Sequence, residues 1–239
     1  MCGRMTQQTS PSDVARIFDA ELRDPEPVPP RFNCAPTDPL TVVVEREDGR
    51  VVERHRWGLI PAWAASPSEG SRRINARAET VAESPAFRVA FRRRRCLVPA
   101  DGFYEWQRID GRRQPWHVRR SDGAPMAMAG LWSLWRDPAT GEWVASCAVV
   151  TTTPNDVVAA LHDRMPVLLS EEARSIWLDP TETSAGLLRD LLVPSDPDEL
   201  ELFPVSSLVN SVRNEGEELI VPLAAEVPRA APRQATLFG

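Results

Sequence analysis

The sequence predicts an α+β fold, a compact single domain in which an antiparallel, barrel-like β-sheet is flanked by helices. Short runs of β-branched and aromatic residues, separated by turn residues, fill most of the chain up to about residue 151. Such spacing is typical of antiparallel strands. Capped helical segments are grouped late in the chain, after residue 154, and this segregation of strands from helices favours α+β. A chain of 239 residues is long enough for a substantial core.

The elements of the N-terminal half begin with a helix, because Ser10 is a good N-cap and Pro11 suits the first turn. The predicted elements are this helix through Phe18, ended by the proline-rich stretch 25–30, then strands over 40–44 and 51–60 joined by a turn at Asp48-Gly49, and an exposed loop over 66–70.

The C-terminal half combines further strands with the grouped helices. The predicted strands are a region over 96–106 interrupted at Asp101-Gly102, a hairpin of 115–120 and 126–132 around the turn 121–123, and a buried strand over 143–151. Three helices are predicted after them: one from its cap Asn155 to about Leu161, one from its cap Ser170 through Trp177, and one from its cap Thr183 through Leu192. The folded domain is expected over 2–222, and the proline- and alanine-rich residues 223–239 are expected to be a disordered tail.

Composition excludes several classes of protein. No apolar run is long enough to span a membrane, and no signal peptide is visible, so we expect a cytoplasmic protein without a membrane partner. The four cysteines have neither CxxC nor zinc-ligand spacing, and the three histidines are scattered. We therefore expect no metal and no cofactor, and we expect Cys34, Cys96 and Cys147 to be small buried residues.

The basic residues are unusual, because all 28 are arginine and the chain has no lysine. The net charge of −6 argues against a nucleic-acid partner, yet arginine is the better bidentate ligand for phosphate. Five arginines fall within eight residues, and the run is either a solvated face or a phosphate-binding one: Arg88, Arg92, Arg93, Arg94 and Arg95. Without lysine, only the N-terminal amine can form a Schiff base.

The first four residues, Met1-Cys2-Gly3-Arg4, carry the most specific chemistry. Cysteine is small enough for an aminopeptidase to remove Met1, which would leave Cys2 with a free α-amine and a thiol on adjacent carbons. Their reference pKa values are about 8 and about 8.5, so both are partly nucleophilic near neutrality. The amine can attack an aldehyde, and the thiol can then close a thiazolidine ring on the same carbon. The alternative is an ordinary thiol at a frayed terminus.

Three polar positions are candidates for further site residues. Glu105 lies among three aromatic residues, a setting that raises a carboxyl pKa and suits an acid/base; the alternative is an ion pair with an arginine. His162 follows a predicted helix and is either an acid/base or structural. Asn75 shares one side of an extended segment with Arg77 and Glu79. His55 and His117 lie in strand-like runs and are assigned structural roles.

Together these segments resemble the SOS-response-associated peptidase family over roughly residues 2–222. The matching blocks are Met1-Cys2-Gly3-Arg4, Asn33-Cys34-Ala35-Pro36-Thr37, Trp57-Gly58-Leu59-Ile60-Pro61, Asn75-Ala76-Arg77-Ala78-Glu79-Thr80, Phe103-Tyr104-Glu105-Trp106, His162-Asp163-Arg164-Met165-Pro166 and Val205-Ser206-Ser207-Leu208-Val209-Asn210. The resemblance implies a monomeric, nucleoid-associated protein whose Cys2 covalently traps abasic sites in single-stranded DNA. It also implies a lyase activity and a self-processing peptidase activity.

The resemblance also implies a role for each site residue. Cys2, Asn75, Glu105 and His162 would be catalytic: Glu105 moves protons during ring opening and thiazolidine closure, His162 assists at the sugar oxygen and Schiff base, and Asn75 orients the sugar or Cys2. The implied DNA-binding residues are Arg4 and Arg77 at phosphates, Pro36 and Trp63 against bases, and Asn33 and Thr151. Ala64 stands where some members carry a second aromatic residue, and the Pro85 region lacks a basic residue found in some relatives, for which Arg88 is a possible substitute.

Two other functions remain as alternatives. An N-terminal-nucleophile glutamine amidotransferase also begins Met-Cys-Gly, and a non-enzymatic single-strand-binding module would leave Cys2 incidental. At the other end of the chain, Gln234, Leu237 and Phe238 form a Gln-x-x-Leu-Phe pattern that resembles bacterial sliding-clamp-binding peptides.

Overall fold

A computed structural model describes residues 2–23, 27–109 and 111–223 of the chain. From residue 224 on, the predicted tail and its clamp-binding pattern lie outside the described residues. The start of the proline-rich stretch expected to end the first helix also lies outside them.

The strands that the structure describes are short to medium in length. In chain order they are β1 (Met5–Gln7), β2 (Glu21–Leu22), β3 (Arg31–Cys34), β4 (Pro39–Arg46), β5 (Gly49–Trp57), β6 (Asn75–Arg77), β7 (Arg95–Ala100), β8 (Gly102–Ile109), β9 (Arg112–Arg120), β10 (Met126–Arg136), β11 (Trp143–Thr152), β12 (Met165–Pro166) and β13 (Leu200–Pro204).

The described helices are also short. They are α1 (Pro11–Ile17), α2 (Arg88–Arg93), α3 (Asp156–Ala159), α4 (Glu171–Leu178) and α5 (Ala185–Asp190), together with 3-10 turns at Pro67–Arg72, Pro197–Glu199, Ser207–Asn210 and Glu217–Ile220. In the described part of the chain, none of the helices has the length and apolarity needed to cross a membrane.

Five strands close into a barrel, which confirms the predicted barrel-like sheet. Neighbouring strands pair antiparallel in the order β11, β10, β7, β4 and β5. The ring closes by a parallel pairing of β5 with β11, in which Arg56 and Trp57 lie opposite Ser146 and Cys147. The sheet is therefore mixed rather than purely antiparallel; β2 and β6 also join it in parallel.

Alternation along the barrel strands separates two apolar layers. Val42 and Val44 of β4 belong to one buried cluster with Val98 and Val149, whereas the intervening Val43 packs in the cluster that contains residues of α1, α2, α4 and α5. Because successive side chains of a strand point to opposite faces, the first layer fills the barrel and the second holds the helices against its outer wall.

A second sheet has the order β13-β9-β8-β1-β3. Some of its apolar residues, including Met5, Phe103 and Val118, belong to the same cluster as the barrel interior, whereas Phe32 and Tyr104 belong to a separate buried cluster. This sheet therefore carries the N-terminal segment directly against the barrel, and β8 brings Glu105 to the same region.

The helix caps were predicted closely. Ser10, Asn155 and Ser170 each accept a hydrogen bond from the backbone in the first turn of α1, α3 and α4. The fourth predicted cap, that of α5, is Ser184 rather than Thr183. The helix after Asn155 is shorter than expected and ends at Ala159.

Three predictions for loops and strands were wrong. Segments 115–120 and 126–132 are strands but not a hairpin, because β9 pairs with β8 and β13 whereas β10 pairs with β7 and β11. The loop expected over 66–70 is part of a 3-10 turn whose Gly70 is buried. The strand from 51 ends at Trp57 rather than Ile60, since Gly58 has a φ of +123°.

His55 and His117 have structural surroundings. His55 is fully buried and its Nε2 lies 2.7 Å from Glu53 Oε2. Burial, reinforced by Arg119, lowers the pKa of His117 to about 3. A neutral His117 therefore packs between the rings of Tyr104 and Phe203.

Candidate active site

The N-terminal segment is built into the second sheet as a strand with a neighbour on each side. Residue Met5 of β1 pairs with Cys34 on one side and Phe103 on the other, and the N–H of Tyr104 donates to the Arg4 carbonyl at 3.0 Å. Cys2 precedes this strand and is fully buried. Burial, together with the charge of Glu105, raises the pKa of the Cys2 thiol well above its ordinary value. The thiol is therefore neutral near pH 7 and needs a base before it can attack.

Asn75 holds the backbone of Cys2. Its Nδ2 donates to the Cys2 carbonyl at 2.8 Å. The residue is placed by β6, in which Asn75 lies opposite Val149 of β11. Its Oδ1 is buried and has no hydrogen-bond partner among the described residues. A buried acceptor without a partner is costly, so this oxygen is available for a donor on a bound molecule.

Glu105 supplies a titratable carboxyl beside Cys2. The residue is 2% exposed on β8. Burial raises its pKa to about 7, and the nearby charge of Asp163 acts in the same direction. This is the direction that its aromatic surroundings in the sequence predicted. Near neutrality, Glu105 can both donate and accept a proton.

His162 follows α3 and is partly exposed. Its Nδ1 accepts a hydrogen bond from the Arg164 N–H at 3.1 Å, which leaves the proton of the neutral ring on Nε2. Asp163 Oδ1 lies 2.7 Å from the same Nδ1 and would accept from it in a protonated ring. Burial outweighs this carboxylate and lowers the pKa of His162, so the neutral form prevails at pH 7.

Arg4 and Asn33 are joined by a hydrogen bond and tied to the 209–214 segment. Arg4 donates through one nitrogen to Asn33 Oδ1 at 2.6 Å and to the Val209 carbonyl at 2.8 Å. Asn33 is buried, and its Nδ2 donates to the carbonyls of Ser211 and Asn214 at 3.0 and 2.9 Å. The Asn33 side chain is thus occupied within the protein, and in this structure it positions Arg4.

A second arginine, Arg164, follows His162 by two residues and has no role assigned from the sequence. Arg164 forms a bidentate ion pair with Glu79 at 2.5 and 3.0 Å and donates to the Thr151 carbonyl. Thr151 is buried, whereas Arg77 is exposed. In the sequence, Glu79 shares an extended segment with Asn75 and Arg164 follows His162 by two residues, but neither position indicates the ion pair.

The two residues expected to contact bases are accessible. Trp63 is 62% exposed, and the guanidinium of Arg73 lies 5.4 Å from its ring centroid. Pro36 is partly exposed and precedes Thr37, whose φ is +82°.

The arrangement suits covalent chemistry on a carbonyl. It combines a thiol, a carboxyl with a pKa near neutrality, a neutral imidazole and an amide that fixes the nucleophile's backbone. Among the described residues, no group of three or more histidine, cysteine, aspartate or glutamate side chains could hold a metal ion.

Comparison with known sequences assigns the chain to a family. A family model described as SOS response associated peptidase matches residues 1–212. The chain is 39% identical over 222 residues to the abasic site processing protein YoaM of Bacillus subtilis (strain 168), covering 92% of this chain and 97% of that protein. It is 30% identical to the abasic site processing protein YedK of Escherichia coli (strain K12), covering 93% of this chain and 100% of that protein.

Comparison with solved structures gives the same fold. A crystal structure of a protein from Bacteroides thetaiotaomicron matches with a TM-score of 0.84 at 24% identity, covering 93% of this chain and all of that one. A crystal structure from Bordetella bronchiseptica matches with a TM-score of 0.73 at 29% identity, covering 86% of this chain and all of that one.

Proposed function

Because the chain belongs to the SOS response associated peptidase family, we propose that it captures abasic sites in single-stranded DNA as a covalent adduct of Cys2. The observation that carries the proposal is the position of Cys2, whose carbonyl accepts from Asn75 and whose thiol lies in the field of Glu105. The relatives' names supply the substrate, since both are called abasic site processing proteins.

The first step is formation of a Schiff base. After removal of Met1, the Cys2 amine adds to the aldehyde of the open abasic sugar and gives a carbinolamine. Glu105, with a pKa of about 7, donates a proton to the departing hydroxyl, so water leaves and an imine forms. Upstream of this step, His162 Nε2–H donates to the ring oxygen of the closed sugar and assists its opening.

The second step is closure of the thiazolidine ring. The carboxylate of Glu105 takes the proton of the Cys2 thiol, the sulfur adds to the imine carbon, and the imine nitrogen gains a proton. No electron is gained or lost overall. A neutral, buried thiol requires this general base, because the thiolate rather than the thiol is the nucleophile.

A competing outcome is strand cleavage. The imine acidifies the neighbouring sugar carbon, and loss of that proton expels the 3′ phosphate as a leaving group. His162 is suited to assist this branch, because its lowered pKa keeps the ring neutral at pH 7. Lyase release and stable thiazolidine formation therefore share one intermediate.

The DNA is held by contacts that do not depend on base sequence, because an abasic lesion can arise at any base. Arg4, positioned by Asn33, and the exposed Arg77 bind the flanking phosphates. Pro36 and Trp63 stack against neighbouring bases. Thr151 contributes to DNA binding indirectly, because its carbonyl accepts a hydrogen bond from the Arg164 side chain and so positions that arginine.

Exposure of the Cys2 amine requires cleavage of the Met1–Cys2 bond, by an aminopeptidase or by the protein itself. The amidotransferase alternative rested on the first three residues and has no counterpart in a family match that spans residues 1–212. A non-enzymatic binding module remains the competing proposal, and the test below separates it from covalent capture.

The C-terminal residues extend the proposal to a partner. Gln234, Leu237 and Phe238 would bind a sliding clamp, acting as one polar anchor and two apolar side chains. Tethering would raise the local concentration of the monomeric protein at exposed template DNA in the cytoplasm. Titration of the last residues against the clamp, with Leu237→Ala as the control, tests this contact; equal binding by both peptides would contradict it.

The central test is denaturing electrophoresis after mixing the purified protein with abasic single-stranded DNA. We expect a heat-stable adduct with the processed protein and none with a variant that retains Met1. Cys2→Ala keeps the amine, so borohydride should still trap its Schiff base. Because the chain has no lysine, a trapped peptide that maps away from residue 2 would refute the mechanism.

A further inference from the structure

Gln107 lies on β8, two residues beyond Glu105. Successive side chains of a strand point to opposite faces, so Gln107 shares a face with Phe103 and Glu105. The buried clusters show the same alternation, because Phe103 packs in the barrel interior whereas Tyr104 and Trp106 pack in a separate cluster. The Gln107 side chain is therefore on the same face of β8 as the proposed acid/base.

The Gln107 amide reaches the element that carries His162. Its Nε2 donates to the carbonyl of Ala160 at 3.3 Å. Ala160 is the C-cap of α3 and precedes His162 by two residues. The backbone N–H of His162 donates to the Val158 carbonyl at 3.0 Å, in the same turn of chain. A side chain on the strand of Glu105 is thus bonded to the turn that leads to His162.

The C-terminal end of α3 has little support within the helix. The helix has four residues, Asp156–Ala159, and the last four carbonyls of a helix have no partner inside it. Leu161 anchors the turn by packing in the cluster of the barrel interior. The strand is held more firmly, since β8 pairs with β9 from Phe103 to Ile109. Loss of the Gln107 hydrogen bond should therefore displace the end of α3 rather than β8.

Packing does not explain a glutamine at position 107. Its Oε1 is buried and has no hydrogen-bond partner among the described residues. A buried acceptor without a partner is costly, and a methionine of similar length would avoid that cost. The contact that a methionine could not supply is the one from Nε2 to the Ala160 carbonyl.

We propose that Gln107 is a positioning residue that fixes the distance between Glu105 and His162. The proposal rests on the proposed function, in which Glu105 acts in both steps of capture and His162 assists strand cleavage. While Gln107 holds the end of α3, both groups act on the same sugar. Without this hydrogen bond, His162 moves relative to the imine at Cys2, and the shared intermediate passes to thiazolidine closure more often than to strand cleavage.

The test compares Gln107→Met with Gln114→Met in the full-length protein. Methionine keeps the length of the side chain and removes the donor. Gln114 is the matched control, because it lies opposite Gln107 on β9 and its Nε2 donates to the carbonyls of Pro115 and Val205 at 2.8 and 2.9 Å. Denaturing gels of each protein with abasic single-stranded DNA give the ratio of cleaved strand to adduct. Because both products come from the same bound DNA, this ratio does not depend on DNA affinity.

We expect Gln107→Met to lower the ratio of cleaved strand to adduct about fivefold, a fraction of the roughly 10²-fold effect of a positioned acid or base. Gln114→Met should keep the wild-type ratio. It should nevertheless unfold at a lower urea concentration than Gln107→Met, because it loses two hydrogen bonds rather than one. A ratio that follows stability instead, with the larger change in Gln114→Met, would overturn the proposal.

A double variant tests whether Gln107 acts through His162. Residues that act through one contact have non-additive effects. In the background of His162→Ala, the added Gln107→Met should leave the ratio of cleaved strand to adduct unchanged, because the group that Gln107 positions is already absent. A further loss of the same size as in the single variant would show that Gln107 acts elsewhere, and the proposal would fail.

A proton NMR titration of His162 tests the position of the ring without any DNA. Burial lowers the pKa of His162, and its signal is the one that His162→Ala lacks. In Gln107→Met the ring should become more exposed, so its pKa should rise towards 6.5 while the charged neighbours Asp163 and Arg164 stay the same. Gln114→Met should leave this pKa unchanged.

An unchanged His162 pKa in Gln107→Met would overturn the positioning role. Failure of the proposed function has a different signature. In that case wild type would form no adduct with abasic DNA, although the His162 pKa would still differ between wild type and Gln107→Met.

Discussion

At the scale of single residues, Glu105 combines deep burial with a pKa near neutrality. A buried carboxyl in this range can act as acid and base in the same reaction cycle. Glu105→Gln keeps the shape but removes the proton, and we expect adduct formation to slow by about 10²-fold. The wild-type rate should be highest near pH 7, where both forms of Glu105 are populated, and the variant should lose this maximum. Quenched-flow gels across pH 5 to 8 measure both effects; an unchanged profile would make Glu105 structural.

His162 is expected to act on the cleavage branch instead. His162→Ala should reduce strand cleavage about tenfold or more while adduct formation is reduced less. Because the His162 pKa lies below its ordinary value of 6.5, wild-type cleavage should persist as the pH falls through 6.5. Gel analysis of the cleaved strand and of the adduct in the same samples separates the two branches. Equal losses in both products would contradict the assignment.

Asn33 illustrates a residue whose effect on DNA binding is indirect. Asn33→Ala removes the acceptor for Arg4 and leaves the carbonyls of Ser211 and Asn214 without a donor. We expect a loss of about 1–3 kcal/mol in the free energy of unfolding and weaker DNA binding. Asn33→Asp retains an acceptor for Arg4 but not the donors, so it should keep more of the DNA affinity than Asn33→Ala. Urea unfolding and anisotropy test the pair, and equal DNA affinities would contradict the positioning role.

At the scale of secondary-structure elements, the segment after β5 depends on a close contact between two glycines. Gly58 has a φ of +123°, and a Cβ there would lie 2.7 Å from the Gly70 carbonyl oxygen. Gly58→Ala should therefore destabilise the protein by about 1–3 kcal/mol and displace the segment that carries Trp63. Gly123→Ala is the matched control, since Gly123 also has a positive φ of +73° but nothing within 4 Å of its Cβ. Urea unfolding should give a much lower free energy of unfolding for Gly58→Ala than for Gly123→Ala. Gly58→Ala should also have the lower DNA affinity.

The elements that the sequence predicted best are those specified by local chemistry. The Asp48-Gly49 turn joins β4 to β5 as expected, and side-chain caps start α1, α3 and α4 at the predicted residues. The pairing of β10 was mispredicted because turn residues at 121–123 indicate a reversal but not which strand the chain then meets. The parallel closure of β5 on β11 joins residues about 90 positions apart, and no local pattern encodes it.

The candidate site divides in the same way. Cys2, Glu105 and His162 were selected by their own chemistry and by the family's motifs. Contacts that depend on the fold were not visible in the sequence. The Arg164–Glu79 ion pair and the network of Asn33 join segments 85 and more than 170 residues apart, so the roles of Arg164 and Asn33 as supports emerged only from the structure.

At the scale of the whole molecule, the site lies where the barrel and the second sheet meet. The N-terminal segment pairs within the second sheet, whereas Asn75 belongs to β6 on β11. Residues of both sheets share one buried cluster with Cys2. The segment that carries Cys2 is therefore held by contacts between distant parts of the chain rather than by a local loop. The burial that raises the pKa of Glu105 also has a consequence for stability.

The free energy of unfolding should carry the signature of Glu105. Its folded pKa is about 7, above the ordinary value of 4.5, so between these values the folded state binds more protons than the unfolded state. Stability from this group is complete below pH 4.5 and is lost as the pH rises to about 7. A shift of this size corresponds to about 3 kcal/mol. The side chain in Glu105→Gln cannot titrate. The free energy of unfolding of this variant minus that of wild type should therefore be about 3 kcal/mol larger at pH 8 than at pH 4.

The comparison isolates Glu105 because other shifted groups are common to both proteins. His117, whose pKa is lowered to about 3, and Glu53, whose pKa is lowered to about 2, both lose stability as the pH falls, in wild type and variant alike. Urea unfolding at pH 4, 6 and 8 gives the difference, with Glu47→Gln at an exposed position as the control. If the difference in the free energy of unfolding between Glu105→Gln and wild type stays constant with pH, the fold does not keep the Glu105 carboxyl protonated. That result would also contradict the proposed role of Glu105 as an acid.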